Sequence, residues 1–185
     1  MTGSVDNTAK LWDAANGTCR ATLSGHCDSV ITAAAFSPDG KTVLIVSDDG
    51  TATLWDVTTG ICRATLSADN ANVLAAAFSP DGNTVVTGGS GDNTAWLWDA
   101  ADGTCRATLR GHAGSVRIAA FSPDGKAVVT GSVDKTAKLW DAVIGPFHSA
   151  ALPGLKVPEL ASIASRKNAV PTGGVKRVRA ALHNG

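Results

Sequence analysis

The chain has 185 residues, enough for one domain or slightly more, and at 44% hydrophobic and 17% charged it can pack a core and is not compositionally disordered. Fifteen Asp stand against one Glu (Glu159), with 20 Gly and no Tyr, a skew toward turn formers and away from helix formers that predicts a turn-rich β protein. The net charge is zero, no apolar run approaches the ~20 residues of a membrane span, and the start at Met1–Thr8 lacks the basic and apolar regions of a signal peptide. These features predict a soluble intracellular protein that is not secreted and does not sit in a membrane.

From the N-terminus, residues 1–23 hold three strand-like runs, the last being Cys19–Leu23 after an Asn16-Gly17 turn. Then a pattern repeats. Trp-Asp recurs at Trp12, Trp55, Trp98 and Trp140, with spacings of 43, 43 and 42. Phe-Ser-Pro-Asp-Gly recurs at Phe36–Gly40, Phe78–Gly82 and Phe121–Gly125, and Cys-Arg-Ala-Thr-Leu at Cys19, Cys62 and Cys105. Gly-His appears at Gly25-His26 and Gly111-His112, two periods apart. In the last clean repeat the strand runs are Val116–Phe121, Ala127–Gly131 and Thr136–Trp140, preceded by Thr104–Leu109. In Ser-Pro-Asp-Gly, Pro fixes φ early in the turn and Gly accepts positive φ late. Four short antiparallel strands in about 43 residues make a small sheet that cannot bury both faces alone. It must stack on copies of itself, and radial stacking gives a propeller.

Gly-His, Phe-Ser-Pro-Asp-Gly, an Asp six residues before Trp, and Trp-Asp follow one another in the order of the WD40 family, which residues 1–154 resemble. The resemblance implies an all-β fold of four-stranded propeller blades. Three are full, at residues 30–66, 73–109 and 116–152, and a partial N-terminal blade occupies residues 1–23. Phe147–Leu152 is expected as the fourth strand of the last blade. Propellers close with roughly four to eight blades. Three readings of the count of about 3.75 stay open: a fragment of a longer propeller; an arc that stays open or associates with other copies through its edges; or a four-bladed ring closed by residues 175–182. Residues 155–185 otherwise form a basic tail, a loop, disordered segment or short helix.

By the same resemblance, His, a hydroxyl, Asp and Trp in each blade form a structural hydrogen-bond network. A catalytic constellation would occur once, whereas this set is distributed one per blade, so no enzyme activity is expected. The last blade has the full set in His112, Thr130, Asp134 and Trp140, with Ser132 as an alternative hydroxyl. The first full blade has His26, Asp49 and Trp55, but Ile45 stands where Thr130 would, which leaves Ser47. The middle blade keeps Asp92 and Trp98 but has Ala68-Asp69 in place of Gly-His, and an extra residue in Gly88–Gly91. It is expected to be the weakest.

Cys19, Cys62 and Cys105 hold equivalent positions in successive blades and are expected as buried, unpaired residues in a reducing compartment. His26-Cys27 does not have the ligand count of a zinc site, and neither metal nor cofactor is expected. Gly88–Asp92 is a loop without the P-loop Lys. Trp96, whose equivalents are Lys10, Thr53 and Lys138, is expected to pack against the adjacent blade.

The resemblance implies a protein-interaction scaffold whose partners are other proteins. Its loops on the shared binding face carry Asp28, Asp48, Asp69, Asn70, Asn72, Ser115, Arg117 and Lys135. Two alternatives remain: a truncated or recently duplicated array without its own activity, or binding of nucleic acid or an acidic surface by the tail. The tail has six positive charges and no aromatic residue to stack on bases, so nucleic acid is not the expected partner.

Overall fold

The computed structural model describes residues 1–26, 30–67, 72–142 and 150–152. The described residues form four antiparallel sheets and no helix. The first sheet has three strands, β1 (Thr2–Gly3), β2 (Thr8–Trp12) and β3 (Cys19–Ser24). The second has β4 (Ile31–Phe36), β5 (Thr42–Ser47), β6 (Ala52–Asp56) and β7 (Cys62–Leu66). The third has β8 (Asn72–Phe78), β9 (Thr84–Ser90), β10 (Ala95–Asp99) and β11 (Cys105–Leu109). The fourth has β12 (Val116–Phe121), β13 (Ala127–Ser132), β14 (Ala137–Asp141) and β15 (Ala150–Leu152). Each strand pairs with its neighbours in chain order, so every sheet is a simple meander.

The sequence of β5, Thr-Val-Leu-Ile-Val-Ser, explains the stacking. All six residues are buried, because alternate side chains enter different cores. Val43 and Ile45 pack with Ala9, Leu11 and Leu23 of the first sheet. Leu44 and Val46 pack with Val73, Phe78, Val85, Trp96 and Trp98 of the third. The third sheet then offers Val86, Leu97 and Leu109 to Val116, Phe121, Val128 and Trp140 of the fourth. A strand buried on both faces reads as a continuous apolar run. At roughly 1.5–3 kcal/mol per large apolar side chain, these three inter-sheet layers dominate the favourable side of folding. Trp96 lies in the layer between the second and third sheets and is 5% exposed.

Two details fix how closely the sheets approach. A Cβ on Gly88 would sit 2.6 Å from Val116 Cγ1, so glycine there lets β12 settle onto β9. The Val73 amide donates to the Gly50 carbonyl at 2.9 Å, a backbone hydrogen bond from one sheet to the next. The turns follow their chemistry. Gly40, Gly82 and Gly125 have φ of 72°, 77° and 74°, and each amide donates back to the Ser carbonyl of its Ser-Pro-Asp-Gly.

Candidate functional site

Asp13, Asp56 and Asp99, each following a Trp, close the turns that follow their strands. Asp56 Oδ1 accepts from the amides of Thr58 and Thr59 at 2.9 and 2.8 Å, and Asp99 Oδ1 from that of Ala101 at 2.7 Å. The pairing of β6 with β7 shifts register between Leu54 and Trp55, leaving Arg63 as an extra residue, and Arg63 pairs with Asp56. Arg106 does the same with Asp99 and also donates to Thr84 Oγ1 at 3.1 Å.

The buried relay is complete in the fourth sheet. His112 Nδ1 lies 2.8 Å from Asp134 Oδ2, and Nε2 lies 2.8 Å from Thr130 Oγ1. The Trp140 indole donates to that same Oγ1 at 2.8 Å. A carboxylate only accepts and an indole only donates. Every hydrogen is therefore placed when His112 carries its proton on Nδ1 and Thr130 donates to Nε2. Asp134 also accepts from the Ala113 amide, the Thr136 amide and the Thr136 hydroxyl. Burial works against the Asp134 charge, but the bonds from the Thr136 hydroxyl, the Ala113 amide and His112 outweigh it and hold the carboxyl far below the ordinary carboxylate range.

In the second sheet the hydroxyl comes from a residue that the repeat pattern does not single out. His26 Nδ1 meets Asp49 Oδ2 at 2.8 Å, and Nε2 meets Thr53 Oγ1 at 2.7 Å. The Trp55 indole donates to Thr53 Oγ1 at 2.8 Å. Ser47, the expected hydroxyl, lies outside the relay. Its Oγ donates to the Val30 carbonyl and accepts from the Asp49 amide, because its place at the end of β5 turns it toward the β4 backbone. Ser132 makes the corresponding contacts, donating to the Gly114 carbonyl and accepting from the Asp134 amide. Burial opposes the charge of Asp49 as well, and bonds from the Thr51 hydroxyl, the Thr51 amide and His26 lower its pKa.

In the third sheet the Trp98 indole donates to Thr87 Oγ1 at 2.8 Å. The Asp92 carboxylate accepts only from the Thr94 amide among the described residues. Asp92 and Trp98 are thus not joined through a histidine there. In the first sheet the Trp12 indole reaches Thr2 Oγ1 at 2.9 Å, and Asp6 holds Thr8 through its amide and hydroxyl. No buried side-chain nitrogen or oxygen among the described residues is left without a partner.

The loop residues fall less neatly together. Asp28, Asp69 and Asn70 lie outside the described residues, as do Cys27, the stretch 143–149 and the tail 153–185 with its expected closing strand at 175–182. Asn72 opens β8 exposed, Ser115 precedes β12 half-buried, Arg117 is exposed, and Lys135 is exposed at the β13–β14 turn with φ 68°. Arg117 is the extra residue of a register shift in β12, and Thr32 and Leu74 hold the same place in β4 and β8. Leu74 is 39% exposed. The bulges were not visible in the alternation pattern, since one extra residue leaves the run apolar on both sides.

Cys19, Cys62 and Cys105 are free and exposed, contrary to the expectation of burial. Each opens the strand at the outer edge of its sheet, where no neighbouring strand covers it. No group of three or more His, Cys, Asp or Glu among the described residues forms a candidate metal site. None of the described residues forms a helix long and apolar enough to cross a membrane.

Meander sheets packed face against face, with a Trp-linked hydroxyl in each and a Trp-Asp closing the turns, define a repeat protein of propeller-blade units. A model of the WD domain, G-beta repeat (WD40) family matches residues 17–56, 60–99 and 103–141, more than half of the chain. The chain belongs to that family. Among curated proteins, it is 57% identical over 47 residues to the nuclear distribution protein nudF of Aspergillus flavus and 60% identical over 47 residues to the nuclear distribution protein PAC1 of Arthroderma otae. It is 49% identical over 45 residues to the nuclear distribution protein PAC1 of Mycosarcoma maydis. The matched stretches cover about a quarter of this chain and 10% of each relative, so the chain spans about a tenth of the length of these relatives.

Proposed function

We propose that the chain is a protein-interaction scaffold, with the relays serving structure rather than chemistry. The observation that carries this reading is the use of buried polar groups to hold loops. Asp49 and Asp134 each bind the turn that follows them while anchoring a histidine from the preceding connection. Loops held this way keep a fixed surface at low entropic cost to a partner. That surface carries Asn72, Ser115, Arg117 and Lys135, with Asp28, Asp69 and Asn70 assigned to it by the repeat.

No catalytic step is assigned. The relay histidines His26 and His112 are buried, each of their ring nitrogens already holds a partner, and the arrangement recurs along the chain. Three exposed free thiols fit a reducing, intracellular compartment. Membership of the WD40 family supports a role in holding other proteins, and the domain organisation we adopt is a repeat region over residues 1–154 followed by a separate tail.

The test is affinity capture with the whole chain and with the Asn72→Ala/Arg117→Ala/Lys135→Ala variant, after matched melting curves. Proteins retained by the parent and lost by the variant support the reading. Identical captured sets contradict it.

A further inference from the structure

Each interior sheet shows two different faces. One carries Trp, Phe and Val, such as Trp98, Phe78 and Val85 of the third sheet. The other carries Leu, Val and Ala, such as Leu97, Val86 and Ala95 of the same sheet. In all three layers a leucine face meets the tryptophan face of the next sheet. Among the described residues the stack therefore leaves one half of this contact at each end: the tryptophan face of the first sheet and the leucine face of the fourth.

Exposure follows that count. Trp12 is 41% exposed, whereas Trp55, Trp98 and Trp140 are 5%, 5% and 3% exposed. Leu139 and Val129, paired across β13 and β14, are only half-buried. Their equivalents Leu97 and Val86, paired across β9 and β10, are 3% and 0% exposed. Phe36 is 47% exposed against 3% for Phe78 and 7% for Phe121, since among the described residues the first sheet has three strands and supplies no innermost strand to cover it.

We propose that a second copy of this chain occupies these faces. Its fourth sheet seats Val129 and Leu139 on the Trp12 face of the first, and the reciprocal contact closes the pair head to tail. The contact continues one that the chain already builds three times, so the match of shapes is present in the sequence itself. Two stacks of the four described sheets make eight, within the range over which propellers close. A head-to-tail contact that closes gives a finite ring rather than a fibre.

Light scattering on the purified 185-residue chain tests this. The expected mass is twice 18.7 kDa. Trp12→Asp or Leu139→Asp alone should weaken pairing at least tenfold and give the single-chain mass, while Ile61→Asp, at a turn residue 63% exposed, should leave the parent mass. An equimolar mixture of Trp12→Asp and Leu139→Asp should recover a two-chain species, because one junction then has both faces intact. Circular dichroism checks that each variant keeps its sheets; Trp12→Ala and Leu139→Ala replace any that does not. A single-chain mass for the parent, masses that climb past two chains with concentration, a pair that survives both face variants, or failure of the mixture to recover would each overturn the proposal.

Discussion

Ile45 of β5 and Thr53 of β6 are direct partners across the second sheet, and between them they have exchanged the polar role of their position. In the fourth sheet the paired residues are Thr130 and Lys138, and the hydroxyl sits on the second strand. In the second sheet the second strand gives Ile45 to the apolar layer, and the third strand supplies the hydroxyl through Thr53. Both residues are nearly inaccessible, at 1% and 2% exposed. The bridging oxygen thus reaches both His26 and the Trp55 indole from either strand.

This exchange makes a reciprocal prediction. Thr53→Val removes the oxygen between two buried groups, at ~1–3 kcal/mol per stranded group, so a loss of about 2–4 kcal/mol is expected in urea unfolding. Adding Ile45→Thr to Thr53→Val should recover part of the loss, because it restores the arrangement of the fourth sheet. Equal stability of Thr53→Val and the parent, or no recovery in the double variant, would contradict the relay.

The two aspartates six residues before Trp98 and Trp140 should respond unequally. Asp134 holds a histidine, two amides and a hydroxyl, whereas Asp92 holds the Thr94 amide. Asp134→Ala is expected to cost several kcal/mol, since ~1–3 kcal/mol accompanies each stranded buried group, and Asp92→Ala distinctly less. Urea midpoints measured side by side decide it.

Acid should unfold the chain partly through the same carboxylates. Asp134 and Asp49 titrate lower when folded than the ordinary value of 3.8. The unfolded chain therefore takes up the proton first, so their contribution is present above about pH 4 and is lost as pH falls below it. Urea midpoints from pH 7 to pH 3 should fall more steeply for the parent than for Asp134→Asn. Parallel curves would show that Asp134 carries no linkage.

Gly25 packs its backbone on the Trp55 ring, and a Cβ there would stand 2.7 Å from Cζ2. Gly25→Ala should displace the indole and cost about 1–3 kcal/mol, the scale of overpacking. Gly17→Ala meets no atom within 4 Å and is strained only through its φ of 72°. A shifted Trp emission maximum in Gly25→Ala and an unshifted one in Gly17→Ala is the expected pair of results.

The fold was legible because its signals repeat. Turn chemistry at Gly40, Gly82 and Gly125, and the unbroken apolar centre of β5 at residues 43–46, state both the strand ends and the need for cover on two sides. The relay was legible where the repeat is intact, since His112, Thr130, Asp134 and Trp140 are all marked by position. Thr53 was hidden because cross-strand pairing joins residues eight apart, and a departure at Ile45 points to its partner only once register is known. Its companion signal was present: Thr53 itself departs from Lys10 and Lys138. The cysteines were misjudged from residue type alone, since position on the outer strand of a sheet overrides the usual burial of a small thiol.

Hydrogen exchange of the tryptophan indole N–H groups, followed by NMR, tests the central claim most directly. Trp55, Trp98 and Trp140 should exchange slowly, and Thr53→Val, Thr87→Val and Thr130→Val should each speed exchange at its own indole while leaving the other two slow. Three indoles exchanging at the rate of a free peptide, or a threonine change that leaves its own indole as protected as before, would contradict stacked sheets pinned by hydroxyl-linked tryptophans.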